Sequence, residues 1–176
     1  LVAEVLDVSI NKVQVEIRRM GGGFGGKETQ AAPLACIAAI VANKTGRPVK
    51  YRMSRHDDMV MTGKRHPFCN TYDVAFDEQG IMMGSNIMVA GNCGNSPDLS
   101  DAIVDRAMFH SDNAYYLNNT KVVGHRCKTH TTSNTAYRGF GGPQGVILGE
   151  LMMDDIARHL GEDPLTIRKR NLYGIK

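Results

Sequence analysis

The tetrapeptide Gly-Phe-Gly-Gly occurs twice, as Gly23-Phe24-Gly25-Gly26 and as Gly139-Phe140-Gly141-Gly142, each copy standing between a segment of strand periodicity and one of helical periodicity. Glycine lets the main chain take positive φ and lets a ligand approach closely. A helix N-terminus just beyond it offers unpaired N–H donors and partial positive charge. Each loop is therefore expected to seat a polar or anionic ligand. A phenylalanine ring between glycines can face outward as a platform for a flat ring system, or inward as a plug for the core, and the residues leave both uses open. Finding two such loops in one small chain favours a shared site.

Periodicity places these loops in a mixed framework. Val2, Val5 and Leu6 read as the last turn of a helix, and Val13, Val15 and Ile17 alternate with polar neighbours as in a half-buried strand. Residues 29–43 form an Ala-rich helical stretch with Pro33 in its first turn and Gly46 as its stop. A short strand is predicted at 49–53, followed by a helix from an N-cap at Ser54 to Met61. Residues 68–76 and 81–90 read as two strands of a hairpin turned at Asp77-Glu-Gln-Gly80. After a polar loop at 92–97, Leu99, Ile103, Ala107 and Met108 have helical spacing, with Arg106 on or just beyond that helix. A strand at 122–129, a Gly-rich loop at 131–142, an amphipathic helix at 146–160 and a short helix at 164–172 complete the chain. The interleaving with a hairpin predicts an α+β fold, a mixed sheet with helices packed against it, in a single domain over 1–176.

Charge and cysteine usage narrow the function classes. A net charge of +3, from 21 basic against 18 acidic residues, is too small and too scattered for a nucleic-acid or membrane-surface footprint. The basic run Arg168-Lys169-Arg170 reads as a solvated helix end. The longest apolar run, 34–42, falls well short of the ~20 residues that cross a bilayer. Cys36, Cys69, Cys93 and Cys127 have no zinc or iron-sulfur spacing and are expected to be reduced, small apolar core residues of a cytoplasmic protein. The chain opens at Leu1 without a Met and runs straight into a patterned segment, which reads as an excised piece.

Gly21, Gly23 and Gly26 also satisfy the dinucleotide fingerprint G-x-G-x-x-G, so a nucleotide-binding module is one alternative. That pattern needs an acid at the tip of the second strand, whereas 49–53 contains none and is followed by Arg55 and His56. It also leaves the second loop unexplained.

The runs Arg19-Met-Gly-Gly-Gly-Phe-Gly-Gly-Lys-Glu28 and Ser133-Asn-Thr-Ala-Tyr-Arg-Gly-Phe-Gly-Gly-Pro-Gln144 resemble the xanthine dehydrogenase/aldehyde oxidase family. Gly63-Lys-Arg-His-Pro-Phe68 and Asp105-Arg-Ala-Met-Phe-His110 resemble it in order and spacing, so the resemblance extends over essentially the whole chain. It implies a fold like the family's molybdopterin-binding domain and a molybdenum hydroxylase activity, in which the cofactor carries the chemistry and the protein positions and polarises.

Residue by residue, the resemblance implies that Phe24 approaches the molybdenum, that Gly23 and Gly25 let the backbone meet the pterin, and that Arg138 lies beside the metal centre without ligating it. Glu28 and Arg106 match catalytic, substrate-binding residues of a purine pocket, and Phe140 matches the aromatic that limits the substrate ring. In an aldehyde oxidase, the runner-up, the counterparts of Glu28 and Arg106 are typically apolar or neutral. Without the family match, Glu28 reads as an acid at a helix start and Arg106 as a surface ion-pair residue. The implied partners are a purine such as hypoxanthine or xanthine, further molybdopterin-binding segments, and FAD and 2Fe-2S domains or subunits. A homo-oligomer is compatible with this. The family's catalytic base and second sandwiching Phe lie downstream of the matched segment and a cofactor-contacting Gln lies upstream, so this piece alone is expected not to turn over xanthine.

Overall fold

The structure is a computed structural model that describes residues 1–174. Its elements are helices α1 (Val2–Leu6), α2 (Ala31–Thr45) and α3 (Arg55–Met61), strands β1 (Phe68–Phe76) and β2 (Met82–Gly94), helix α4 (Ser100–Phe109), strand β3 (Thr120–Lys128), and helices α5 (Gly142–Leu160) and α6 (Pro164–Asn171). The sheet runs β1-β2-β3, with β1 and β2 antiparallel and β2 and β3 parallel. A parallel pair needs a crossover, and α4 supplies it between β2 and β3. The α+β expectation with a mixed sheet is met.

One face of the sheet is covered and the other is open, as the alternation along the strands requires. On β2, Met82, Ile87, Val89 and Cys93 are buried, while Met83 and Asn86 are exposed. Against the covered face pack Val104 of α4, Leu148, Met152, Met153 and Ile156 of α5 and Ile167 of α6, each at most 1% exposed. The hairpin turn closes as its residues predict: Asp77 accepts from the amides of Gln79 and Ile81, and Gly80 takes φ 74°. Asn171, buried at the end of α6, accepts from the Met82 amide at 2.8 Å and donates to the Gly80 carbonyl at 2.8 Å, pinning the last helix to that turn.

Four expectations are corrected. Residues 13–17 and 49–53 form no strand, and Val15 and Ile17 are each 73% exposed, because no neighbouring strand pairs with them among the described residues. The helix after the second loop starts at Gly142, earlier than the apolar periodicity indicated, because its first turn is made of Gly, Pro and Gln. Arg168 and Arg170 are not a solvated end: Arg168 is ion-paired with Glu150 and Asp154 at 2.8 Å each, and Arg170 with Glu162 at 2.8 Å. All four cysteines are free thiols, but only Cys93 is buried, since the β1 and β3 registers turn Cys69 and Cys127 to solvent.

The N-terminal arm is held more loosely. Helix α2 packs on α1 but buries none of its residues, and it ends where Gly46 takes φ 63°. Ser54 caps α3 by accepting from the Asp57 amide at 3.0 Å.

Candidate functional site

The echo between the two loops persists in three dimensions. Phe24 and Phe140 take φ 49° and 48°, and the glycines after them take φ 80° and 90°. A bulky residue in the left-handed region is costly, of order ~1–3 kcal/mol, and persists only where the surroundings determine it. The two loops share this Phe-Gly pair and differ around it: Gly26 takes φ 74° and Gly139 φ 98°, whereas their counterparts Gly142 and Gly23 are not left-handed.

The loops also meet. The main chain of Gly25 lies so close to Ala136 and Tyr137 that a Cβ at Gly25 would sit 2.5 Å from the Ala136 carbonyl oxygen and 2.6 Å from the Tyr137 Cα. Thr29 and Thr135 hydroxyls add a hydrogen bond at 3.4 Å. The segment that delivers the second loop is itself anchored: Asn134 donates from its amide to the Cys93 carbonyl at 3.0 Å and Thr135 to the Lys64 carbonyl at 3.0 Å. Thr135 and Ala136 are 2% and 1% exposed, so the loop springs from the core.

Helix α4 closes on the second loop from behind. The Ile103 carbonyl blocks any Cβ at Gly141, and the Nε of Arg106 and a ring carbon of His110 each lie 3.8 Å from where a Gly142 side chain would begin. Arg106 is therefore brought to the second loop. Among the described residues it forms no ion pair, and the acids beside it on α4, Asp101 and Asp105, both pair with Arg126.

The remaining predicted residues are placed as follows. Phe24 is 66% exposed, so it does not plug the core, whereas Phe140 is half-buried. Gly23 faces open space, with nothing within 4 Å of a Cβ position. Glu28 is exposed and accepts from the Lys27 amide at 3.1 Å; it precedes α2 by too far to serve that helix as a first-turn acid. Arg138 is exposed, and its side chain makes no ion pair among the described residues. No hydrogen bond joins Glu28 to Arg106 among the described residues, so the two loops are brought together more firmly than these two side chains.

The chemistry available at this junction is that of donors without acceptors. The amides of Phe24, Gly25 and Gly26 in the first loop, and of Gly139 and Gly141 in the second, donate to nothing among the described residues. A cleft of about 660 Å³ opens beside the joint, lined by Gly25, Lys27, Gln30, Asp58, Lys64, Arg65 and Tyr137 among others, with Phe24, Arg138 and Phe140 outside its lining. Free main-chain donors and cationic side chains fit an anionic, hydrogen-bond-accepting cofactor. Among the described residues no cluster of three or more His, Cys, Asp or Glu is placed to hold a metal ion. The two loops are not equivalent here: the second runs directly into α5, while the first is separated from α2 by Lys27, Glu28, Thr29 and Gln30, so only the second has a helix N-terminus at its side.

The dinucleotide alternative fails on this geometry. Its glycine run must link a parallel strand to a helix, and here the run follows no strand and does not open α2.

Sequence reasoning missed several contributors. Gln30 caps nothing in its own helix but accepts from the Gly63 amide at 2.8 Å, tying α2 to the segment after α3. Arg65 stacks on the Tyr137 ring at 4.4 Å and donates from Nη2 to the Arg138 carbonyl at 2.6 Å. His110 flanks Arg106. Arg65 and His110 lie in runs that resemble the family, and that was their only signal, since no local pattern distinguishes them.

A sequence model of the family described as molybdopterin cofactor-binding domain matches residues 1–172. The xanthine dehydrogenase/oxidase of Gallus gallus is 47% identical over 171 residues, 97% of this chain and 13% of that protein. The xanthine dehydrogenase of Calliphora vicina is 47% identical over 173 residues, 98% of this chain and likewise 13% of its length. Among solved structures, the aldehyde oxidoreductase of Desulfovibrio desulfuricans ATCC 27774 has a similar fold, with a TM-score of 0.78 at 29% identity, covering 88% of this chain and 17% of that one. The chain thus spans about an eighth of the curated relatives it matches.

Proposed function

Because the chain belongs to the family of molybdopterin cofactor-binding domains, we propose that it is one piece of the molybdopterin-binding domain of a xanthine dehydrogenase-type molybdenum hydroxylase, supplying part of the cofactor cradle and part of a purine pocket. The observation that carries this reading is the main-chain contact of Gly25 with Ala136 and Tyr137, which joins two loops that share a left-handed Phe-Gly pair and in which the amides of Gly25 and Gly139 donate to nothing among the described residues.

When bound, the cofactor supplies the oxidising chemistry that hydroxylates an electron-poor ring carbon. This chain's residues act around it. The free amides of Gly25 and Gly139 and the guanidinium of Arg138 would help hold the cofactor, and the exposed ring of Phe24 would lie against it. Arg106 offers a planar fork of donors to a purine carbonyl, where negative charge builds during attack. Glu28 fixes the heterocycle by hydrogen bonding, exchanging its present partner, the Lys27 amide, for the substrate. Phe140 limits where the ring can lie. Substrates of the hypoxanthine and xanthine class, electron transfer through 2Fe-2S and FAD domains or subunits, and a cytoplasmic role in purine catabolism complete the reading. No helix among the described residues is long and apolar enough to cross a membrane.

The test uses the full-length parent enzyme carrying Glu28→Val together with Arg106→Met. Purine turnover should fall by at least ~100-fold, the loss expected when a charged partner of a buried polar substrate is removed, while aldehyde turnover is kept. Equal loss on both substrates would make these residues structural, and unchanged purine turnover would remove the purine pocket from this chain.

A further inference from the structure

Arg65 follows a residue whose carbonyl is held by the Thr135 amide, so its backbone is fixed against the stem of the second loop. Its guanidinium lies against that loop in three ways. It stacks on Tyr137 at 4.4 Å, donates from Nη2 to the Arg138 carbonyl at 2.6 Å, and brings Nη1 to 3.8 Å from where a Gly139 side chain would begin. Nη1 is shielded from solvent and has no acceptor among the described residues. Leaving a guanidinium N–H without an acceptor costs free energy, so the placement is justified by what the other contacts hold.

What they hold is a peptide plane. In a trans peptide the carbonyl and the following amide point in opposite directions. The bond that draws the Arg138 carbonyl onto Arg65 therefore turns the Gly139 N–H away from it, and that amide has no acceptor among the described residues. The same contact fixes the main chain from which the Arg138 side chain springs. Lysine could not replace this clamp, because an ammonium neither stacks flat on an aromatic ring nor presents a planar fork.

We propose that Arg65 is a positioning residue of the cradle, which by stacking on Tyr137 and holding the Arg138 carbonyl sets the direction from which Arg138 and the Gly139 amide meet the cofactor. The proposal rests on the cradle reading above, and the experiment separates the two.

In the full-length parent, Arg65→Met, Arg65→Lys and Arg138→Met are compared for molybdenum retained per protomer after gel filtration, for kcat and KM, and for the thermal unfolding midpoint. Arg65→Met is expected to lower molybdenum content or kcat by about 10- to 100-fold, the usual cost of losing a group that orients a ligand-holding residue, with KM little changed and the midpoint kept. Arg65→Lys should recover only part of this. A variant carrying both Arg65→Met and Arg138→Met should be no worse than Arg138→Met alone, since both act through one loop. Normal molybdenum and kcat in Arg65→Met, with both lost in Arg138→Met, would overturn the role of Arg65 and leave the cradle standing. Full rescue by lysine would also overturn it, because charge alone would then suffice. If neither variant affects molybdenum or kcat, the cradle itself falls. Should Arg65→Met fail to fold, Tyr137→Leu, at a position 53% exposed, removes the stack alone, and wild-type molybdenum and kcat in that variant refute the clamp.

Discussion

Replacing Gly25 by alanine tests whether the two loops are joined as described, and Gly26→Ala is its internal control. Both glycines are left-handed, at φ 80° and 74°, so either substitution incurs the left-handed penalty of about 1–2 kcal/mol. They differ in what the new methyl meets. At Gly26 the nearest atom is 3.9 Å away, an ordinary contact, whereas at Gly25 it is main chain of the second loop at 2.5 Å. Backbone cannot swing aside as a side chain can, so the loops must part, at a further cost of about 1–3 kcal/mol. The difference between the variants thus isolates the joint, and it corresponds to about 5- to 150-fold in a local opening equilibrium.

Hydrogen exchange read by mass spectrometry can follow three reporter amides. These are Gly63, which donates to Gln30 across the arm, Thr135, which donates to Lys64, and Phe140, which donates to Tyr137 within the second loop. Gly25→Ala should speed exchange at Gly63 by that factor beyond Gly26→Ala, while the amides of α5 stay protected in both. Identical profiles for the two variants would mean that the loops do not bear on one another, and the cradle would lose its physical basis.

Two further outcomes are expected. His66 is 2% exposed and bonded to Ser100 at 2.7 Å; burial pushes its imidazole below the ordinary value of 6.5, against the opposing pull of a hydrogen bond at Thr135 and of the Asp98 carboxylate. Between that lowered value and 6.5 the unfolded chain binds more protons than the folded one, so stability should fall as pH drops through 6.5. Urea midpoints taken from about pH 7.5 to about pH 5.5 should show this decline in the wild type and a flatter profile in His66→Gln, and parallel profiles would exclude His66 as the source. The 176-residue chain alone, supplied with molybdenum cofactor, should not turn over xanthine, and measurable turnover would show that the segments beyond it are dispensable.

How much of this was legible in the residues depended on what each signal measures. The hairpin, α4, β3 and the two final helices were readable because their apolar residues are buried against one another, so periodicity and burial report the same thing. The segments 13–17 and 49–53 show the converse. Val13, Val15 and Ile17 carry the alternation of a strand, but alternation encodes a need for a partner and cannot supply one. For the site, the glycines announced both loops because left-handed backbone leaves a compositional mark. Arg65 left none: its role comes from two contacts with residues far along the chain, and no spacing rule foretells a guanidinium beneath a distant peptide plane. The exposed thiols of Cys69 and Cys127 were misjudged for a related reason, since strand register, not residue type, decides which face a side chain meets.

The uneven burial along the chain has a mechanical consequence for the cradle. One wall, the first loop, belongs to an arm whose helix α2 has no fully buried residue, and the other wall grows out of the densest part of the molecule through Thr135 and Ala136. Fluctuations need not be shared equally between such walls. Within the described residues the second wall is the better anchored of the two, and the first takes its place from the main-chain approach of Gly25 to Ala136 and Tyr137.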